Sequence, residues 1–302
     1  MKIVFFGSSE FSIKPLKKIK DKHEVLVVTK PDKPKGRGLK ITPNVLKKFA
    51  IQEHCTCIDD ENLESIKEYG ADVFVVASYG RIIPKHILDI FTIGFNIHPS
   101  LLPKFRGPAP IQWAILNGDK KTGVTICKVT ENIDGGDIIV QKEIEIDQND
   151  TYESLSDKLS QMGSDMILEL LDNFGKIGKF IKQDEKSATW ARIIKKEDGK
   201  IKWNNDSFQI WRMTRALFPY PKVRTAINGV NTIIHTVSPT DKITNCEPGT
   251  IVNISEDGIE VSTGKGTIII KEIQREGGRR IRGYDFANGM RLVKGDRFES
   301  LD

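Results

Sequence analysis

The sequence predicts an α/β protein: a doubly wound, Rossmann-like, mostly parallel sheet domain followed by a small C-terminal β-barrel of OB-like size. Three observations carry that expectation. The first half alternates short apolar runs with helix-period segments, as strand–helix–strand units do. Those apolar runs are nearly continuous, which suits strands covered on both faces of a parallel sheet. From about residue 223 the pattern changes to short β-branched runs broken by Gly and Asn, the spacing of a small barrel.

The first strands are expected at KIVFFG (2–7), EVLVVT (24–29), DVFVVAS (72–78) and TIGFNIH (92–98). Helical spacing and capping residues place helices over 9–23, 42–54 and 62–70. Two further β-rich runs, TGVTICKVT (122–130) and GGDIIVQKEIEI (135–146), precede an amphipathic helix expected from 151 to 180. Residues 185–206 are polar and follow neither period. The implied organisation is a sheet domain over 1–190, a linker over 191–206 and a β domain over 207–302.

Composition narrows the class. The 302 residues are 38% hydrophobic and 29% charged, values of a folded globular protein. No apolar run approaches the roughly 20 residues that span a bilayer, so no membrane segment is expected. The opening MKIVFFGSSEF has too short an apolar run for a signal peptide, which points to a cytoplasmic protein. Four cysteines (Cys55, Cys57, Cys127, Cys246) have no metal-ligand spacing and are expected to be reduced. The net charge is +5, unevenly spread. Residues 30–48 carry seven Lys/Arg against one Asp, and 271–297 carry eight against four acids. Either run alone fits solvated surface; two together suit a polyanionic partner.

Ligands of doubly wound sheets bind beyond the carboxyl ends of the strands. The first strand leads into GSSEFS, without the glycines that let a backbone approach a pyrophosphate, so a nicotinamide cofactor is not expected. The remaining candidate is GFNIHPSLLPKFRGPAP (94–110), where Asn96 and His98 share one strand face. An amide N–H can stabilise an oxyanion and an imidazole can move a proton, a useful pair for acyl transfer. The spacing alone fits a strand cap equally well. Asp134, in TENIDGGDII (130–139), is the carboxylate that could orient His98, although an ordinary Asp-Gly turn has the same wording.

The stretches NIHPSLLPKFRGPAP and NIDGGDII, in that order, closely resemble the signature loops of the folate-dependent formyltransferases. The resemblance implies that Asn96, His98 and Asp134 are the catalytic trio and that 10-formyltetrahydrofolate is the formyl donor, with no metal. It implies a folate-holding loop at SYGRIIP (Tyr79, Gly80, Arg81, Ile82, Ile83), with Ser100, Leu101, Leu102, Pro103 and Gly135 completing the pocket. Members formylate a purine precursor, an amino-sugar nucleotide or the methionine carried by initiator tRNA. The loop KPDKPKGRG (30–38) and the C-terminal EIQREGGRRIRGYDFANGMRLVKGDRF (272–298) resemble the tRNA-acting branch. That branch implies RNA contacts from Lys33, Lys35, Arg37, Lys40, Arg279 and Arg280, initiator methionyl-tRNA as partner, and a monomeric chain. A UDP-amino-sugar acceptor is the alternative. The front motif GSSEFS lacks the Thr-Pro more usual there, and QREGGRRIRGYDF only approximates the usual wording.

Overall fold

The computed structural model describes residues 1–35, 40–59, 64–176 and 178–301, with the backbone alone at 35, 40 and 176. It forms two compact units, the first comprising Met1–Ile111, Lys120–Ile146 and Ser154–Ile193, and the second the remainder.

Through the sheet unit the chain runs β1 (Lys2–Gly7), α1 (Ile13–Lys20), β2 (Glu24–Thr29), a small hairpin of β3 (Lys33–Lys35) and β4 (Lys40–Thr42), α2 (Val45–Gln52) and β5 (Thr56–Asp59). It continues through α3 (Ser65–Tyr69), β6 (Val73–Ala77), α4 (Lys85–Leu88), β7 (Ile93–His98), α5 (Pro110–Asn117), β8 (Lys121–Lys128), β9 (Ile138–Glu145) and α6 (Tyr152–Asp172). The sheet order is β5-β2-β1-β6-β7-β8-β9. Pairings from β5 through β7 are parallel; β8 and β9 join antiparallel. The chain builds outward to one side of β1 and then, with β6, to the other. The ends of β1 and β6 are therefore a topological switch point, where such sheets bind ligands.

Burial explains the apolar runs. Ile3, Val4, Phe5 and Phe6 of β1 are fully buried, as are Val27 and Val28 of β2 and Val75 of β6. Strands covered on both faces have no solvent side to alternate toward. Phe6 meets Phe74 and Tyr79 edge-on, with ring centroids 5.7 and 5.3 Å apart. Helix α1 contributes Leu16 and Ile19 to the core, and α6 contributes Leu155, Leu159 and Ile167. Each such side chain, fully buried, stabilises by about 1.5–3 kcal/mol.

The second unit takes in Gln112–Asp119, which holds most of α5, Asp147–Glu153 and the chain from Ile194; from there it runs α7 (Ser207–Ala216), β10 (Val223–Ile227), β11 (Val230–Thr240), β12 (Ile251–Ser255), β13 (Gly258–Ser262), β14 (Thr267–Arg275), β15 (Arg280–Arg282), α8 (Gly283–Met290) and β16 (Phe298–Glu299). Its antiparallel order is β12-β13-β14-β11-β10-β16, with β15 on β14. The two ends of that path meet: Thr250 bridges Arg297, and Phe298 N–H donates to Gly249 O at 2.9 Å. The sheet thus curls round an apolar filling that includes Ile234, Ile251, Val261, Ile270 and Phe298. Trp203 lies against Phe298, and its indole N–H donates to the Thr225 hydroxyl at 3.1 Å.

Differences from the sequence expectation have local causes. The helix expected over 151–180 stops at Asp172; beyond it the Asn173 side-chain amide donates back to Glu169 O at 2.9 Å, serving a carbonyl of the last turn. Part of the helix expected over 62–70 lies outside the described residues; Ser65–Tyr69 is helical. Helix α7 was not expected, although Asp206 caps it by accepting from Gln209 N–H at 2.7 Å. Ala191, Ile194, Ile201 and Trp203, within the stretch read as polar linker, are buried. Among the described residues no helix is long and apolar enough to cross a membrane.

His23, between α1 and β2, has both ring nitrogens buried without a hydrogen-bond partner, and the nearest Asp172 carboxylate oxygen is 4.0 Å away. Burial pushes its pKa below the ordinary 6.5, the neighbouring N-terminal ammonium adding to the effect against the opposing pull of Asp172. The unfolded chain then binds the proton more readily than the folded one. The neutral ring's contribution to stability is present above pH 6.5 and is lost as the pH falls through the lower folded value. Urea unfolding at a series of pH values should therefore show stability falling below about pH 6.5, with the slope reduced in His23→Phe.

Candidate active site

The site is assembled at the carboxyl end of β7. Asn96 pairs in register with Val76 of β6 on one side and Cys127 of β8 on the other, so its side chain is placed by three strands. His98, two residues on, faces the same way and is nearly fully buried. Its Nε2 lies 2.9 Å from Phe105 O. A carbonyl only accepts, so Nε2 carries the proton, a tautomer assigned from the network. Nδ1 is thereby turned toward the third residue of the trio.

That residue is Asp134, in the loop between β8 and β9. Its Oδ1 accepts from Asn96 Nδ2 at 2.8 Å and lies 3.5 Å from His98 Nδ1. Its Oδ2 accepts from Gly107 N–H at 2.8 Å. The three residues proposed from the sequence thus converge on one carboxylate. Asp134 has φ of +51°, a left-handed conformation that costs a non-glycine residue about 1 kcal/mol or more. The cost is offset from behind: Gln183 Nε2 donates to Asp134 O at 2.7 Å and to Gly136 O at 2.6 Å. The second glycine of the motif has a steric reason, since a Cβ on Gly136 would sit 1.8 Å from Lys128 O.

Arg106 extends the clamp. Its guanidinium donates to Gln183 Oε1 at 3.0 and 2.9 Å and forms a bidentate pair with Glu185, both contacts 2.8 Å. Glu185 is held below the usual carboxylate range by that pairing. The proline loop is fixed by side chains from elsewhere. Thr125 accepts from Leu102 N–H at 3.1 Å and donates to Ser100 O at 2.7 Å, while Gln141 Nε2 donates to Leu102 O at 3.0 Å. Ser100 spends its hydroxyl on Lys104 O at 2.6 Å. Phe105 N–H donates to Thr189 Oγ1 at 2.9 Å.

The expected folate loop follows β6 at the switch point. Ser78 and Gly80 have φ of +49° and +67°, so the chain turns sharply there. Tyr79 and Ile83 point into the core, whereas Arg81 and Ile82 are exposed. Ser8 Oγ of the preceding motif donates to Ser78 O and Tyr79 O, each 3.0 Å, tying the first strand's end to this loop. Leu102 and Ser100 are buried, Leu101, Pro103 and Gly135 partly so.

Of the RNA-contact candidates, Arg37 lies outside the described residues, as do the side chains of Lys35 and Lys40. The backbone of 33–35 pairs antiparallel with 40–42, and Lys33 is exposed. Arg279 is exposed. Arg280 is engaged by Glu272 and donates to Thr236 Oγ1 at 3.1 Å, so its charge is partly balanced within the barrel. Of the cysteines, Cys127 is the β8 partner of Asn96 and has Asp134 and Arg106 as charged neighbours. Burial pushes the Cys57 thiol up to about 11 and the fully buried Cys127 thiol higher still. Among the described residues no three His, Cys, Asp or Glu side chains are grouped to hold a metal ion.

Residues 1–171 match the formyl transferase family model, and residues 193–291 match the model of its C-terminal domain. The chain belongs to the formyltransferase family. It is 40% identical to the methionyl-tRNA formyltransferase of Caldicellulosiruptor saccharolyticus, over 98% of this chain and 99% of that protein. Against the Bacillus subtilis methionyl-tRNA formyltransferase it is 38% identical, over 98% and 96%. Solved formyltransferase-like structures are more distant and share the fold. HypX of Aquifex aeolicus, solved with tetrahydrofolic acid, has a TM-score of 0.68 at 18% identity, over all of this chain and 51% of that one. The Helicobacter canadensis N-formyltransferase, solved with folinic acid and dTDP-3-aminofucose, has a TM-score of 0.69 at 24% identity, over 89% and 98%.

No local wording marks Gln183, whose clamp reaches back 49 residues to Asp134. Gln183→Ala would leave two buried carbonyls and the Arg106 donors without their partner, a cost of about 1–3 kcal/mol in stability. Loss of the loop's position should lower kcat by ~10- to 100-fold. Steady-state kinetics beside a thermal melt measure both, and an unchanged kcat would separate the clamp from function.

Proposed function

We propose that this chain transfers the formyl group of 10-formyltetrahydrofolate to the α-amino group of methionine on initiator methionyl-tRNA, and so serves translation initiation. The observation that carries the chemistry is the Asp134 carboxylate placed between Asn96 Nδ2 and His98 Nδ1. The acceptor rests on the relatives named methionyl-tRNA formyltransferase, matched over nearly their whole length and including the C-terminal unit.

The donor fits the residues at the switch point. The Lys30 ammonium lies against Gly80, its Nζ 2.6 Å from where a Cβ would stand, so a cation borders this loop. Beside it the exposed Ile82 offers an apolar face at a turn of open backbone, a surface suited to a flat, polar-edged ring. Tyr79, Gly80, Arg81, Ile82 and Ile83 would line the donor from this side, and Leu101, Pro103 and Gly135 from the other. Bound there, the donor supplies the formyl carbon: a C–N bond to the amine forms, the donor's C–N bond breaks, and one proton passes from the amine to the departing nitrogen.

The chain's residues serve the charge and the proton. Attack on a formyl carbon builds negative charge on its oxygen, and the second N–H of Asn96, the first being held by Asp134, is the donor placed for it. His98 has its Nε2 proton committed to Phe105 O, so Nδ1 is the nitrogen that takes or returns a proton. Asp134 holds both side chains in position and faces the imidazole when it is charged. These groups are fixed before substrate arrives, which is where such electrostatic stabilisation gains its effect.

The basic run 30–48, with Lys33, Lys35, Arg37 and Lys40, and the C-terminal Arg279 and Arg280 supply cations for the phosphates of an acceptor arm. Initiator methionyl-tRNA should accept a formyl group from 10-formyltetrahydrofolate in the presence of the chain, and a UDP-amino-sugar should not. Formylation of the sugar alone would reverse the assignment of the acceptor. Three phosphate contacts would weaken tRNA binding about fortyfold between about 50 and 200 mM salt, whereas a sugar nucleotide would respond little. Asn96→Ala should lower kcat by about 10²–10³, measured at saturating substrates.

A further inference from the structure

Trp190 is large, apolar and 62% exposed, yet its backbone is held on both sides. Arg106 N–H donates to Thr189 O at 2.8 Å, Ala191 N–H donates back to Arg106 O at 2.7 Å, and Ala109 N–H donates to Ala191 O at 3.3 Å. The next residue, Ala191, is wholly buried, so the strap cannot turn over to hide the indole. A ring presented this way is a fixed apolar face in water, whose covering by a ligand is favourable without further ordering of the chain. The position is close to the chemistry. A Cβ on Gly107 would lie 3.6 Å from Trp190 Cε3, and the same Gly107 donates its N–H to Asp134 Oδ2. Gly107 is itself required there, with φ of +106° and Ala191 O 2.9 Å from the Cβ position.

We propose that Trp190 is the stacking platform for the 3′-terminal base of the aminoacylated acceptor, and hence a specificity-determining residue for a nucleic-acid substrate. The inference rests on the tRNA acceptor proposed above. In an aminoacyl ester only the ribose and the ester carbonyl separate the amine from the terminal base. An amine delivered to the Asp134 side of the loop therefore brings that base alongside the strap. The end of an acceptor arm is single-stranded, and unpaired bases are held chiefly by stacking on aromatic side chains. The methionyl side chain and the formyl donor are the competing occupants of the indole face, and each leaves its own signature in kinetics.

The test compares full-length wild type, Trp190→Ala and Trp190→Phe with methionyl-tRNA and with methionine amide, which carries the same amine and side chain but no base. Trp190→Ala should raise KM for methionyl-tRNA about ten- to a hundredfold, with kcat within about twofold and KM for the donor unchanged. Trp190→Phe, which keeps a ring face, should recover most of that loss. The rate constant with methionine amide should be the same in all three proteins. An unchanged KM for methionyl-tRNA overturns the proposal. So does an equal loss on methionine amide, which would assign the ring to the methionyl side chain, or a rise in donor KM, which would assign it to the donor. A wild type inactive on methionyl-tRNA overturns the acceptor assignment and this inference with it; an active wild type with a Trp190→Ala variant of unchanged KM overturns the inference alone.

Discussion

One carboxylate organises this site. Asp134 accepts hydrogen bonds from an amide on β7 and from a backbone N–H of the proline loop, and it faces the imidazole between them. Those groups come from the end of β7 and the loop after it, and the carboxylate reaches them from the loop between β8 and β9. A carboxylate with its side chain about one-eighth exposed is costly unless its oxygens accept hydrogen bonds, and here each oxygen accepts one. The left-handed backbone that aims it would be unfavourable in isolation. Gln183 and Arg106, pinned in turn by Glu185, hold that turn from behind. The geometry of the site is thus a consequence of a polar network that extends well behind Asn96, His98 and Asp134.

The sheet explains why the network sits where it does. Parallel strands end at one edge, and the change of direction at β1 and β6 leaves a crevice beyond that edge. Asn96 and His98 end the strand beside β6, so these two side chains and the loop at 78–84 face the same crevice. Distant formyltransferase-like structures with TM-scores near 0.7 share this frame at 18–24% identity.

How much of this could be read from the sequence follows the range of the interactions. Buried strands announce themselves by continuous apolar runs, and β1, β2, β6 and β7 fall within a residue or so of expectation. The short strand β5 and helix α7 do not, because four residues carry little pattern and the α7 period is interrupted by polar positions. In the site, Asn96, His98 and Asp134 are legible because each lies in a distinctive local wording. The clamp is not. Nothing about a glutamine 49 residues downstream of Asp134 marks it as the donor to two loop carbonyls. Charge was legible only as a sum: Arg279 and Arg280 are adjacent in the chain, yet Arg280, whose register partner on β14 is Gln274, is ion-paired with Glu272 two residues along that strand.

The central claim is that Asn96 and Asp134 act as one unit, the carboxylate fixing the amide that meets the developing charge. A double-mutant cycle measures this directly: kcat/KM for wild type, Asn96→Ala, Asp134→Asn and the double variant, with melting temperatures to confirm folding. If the account is right, the double variant is no worse than the more damaged single variant, within about threefold, because either change already dismantles the unit. Losses that multiply would mean that the two residues act independently, and would contradict it.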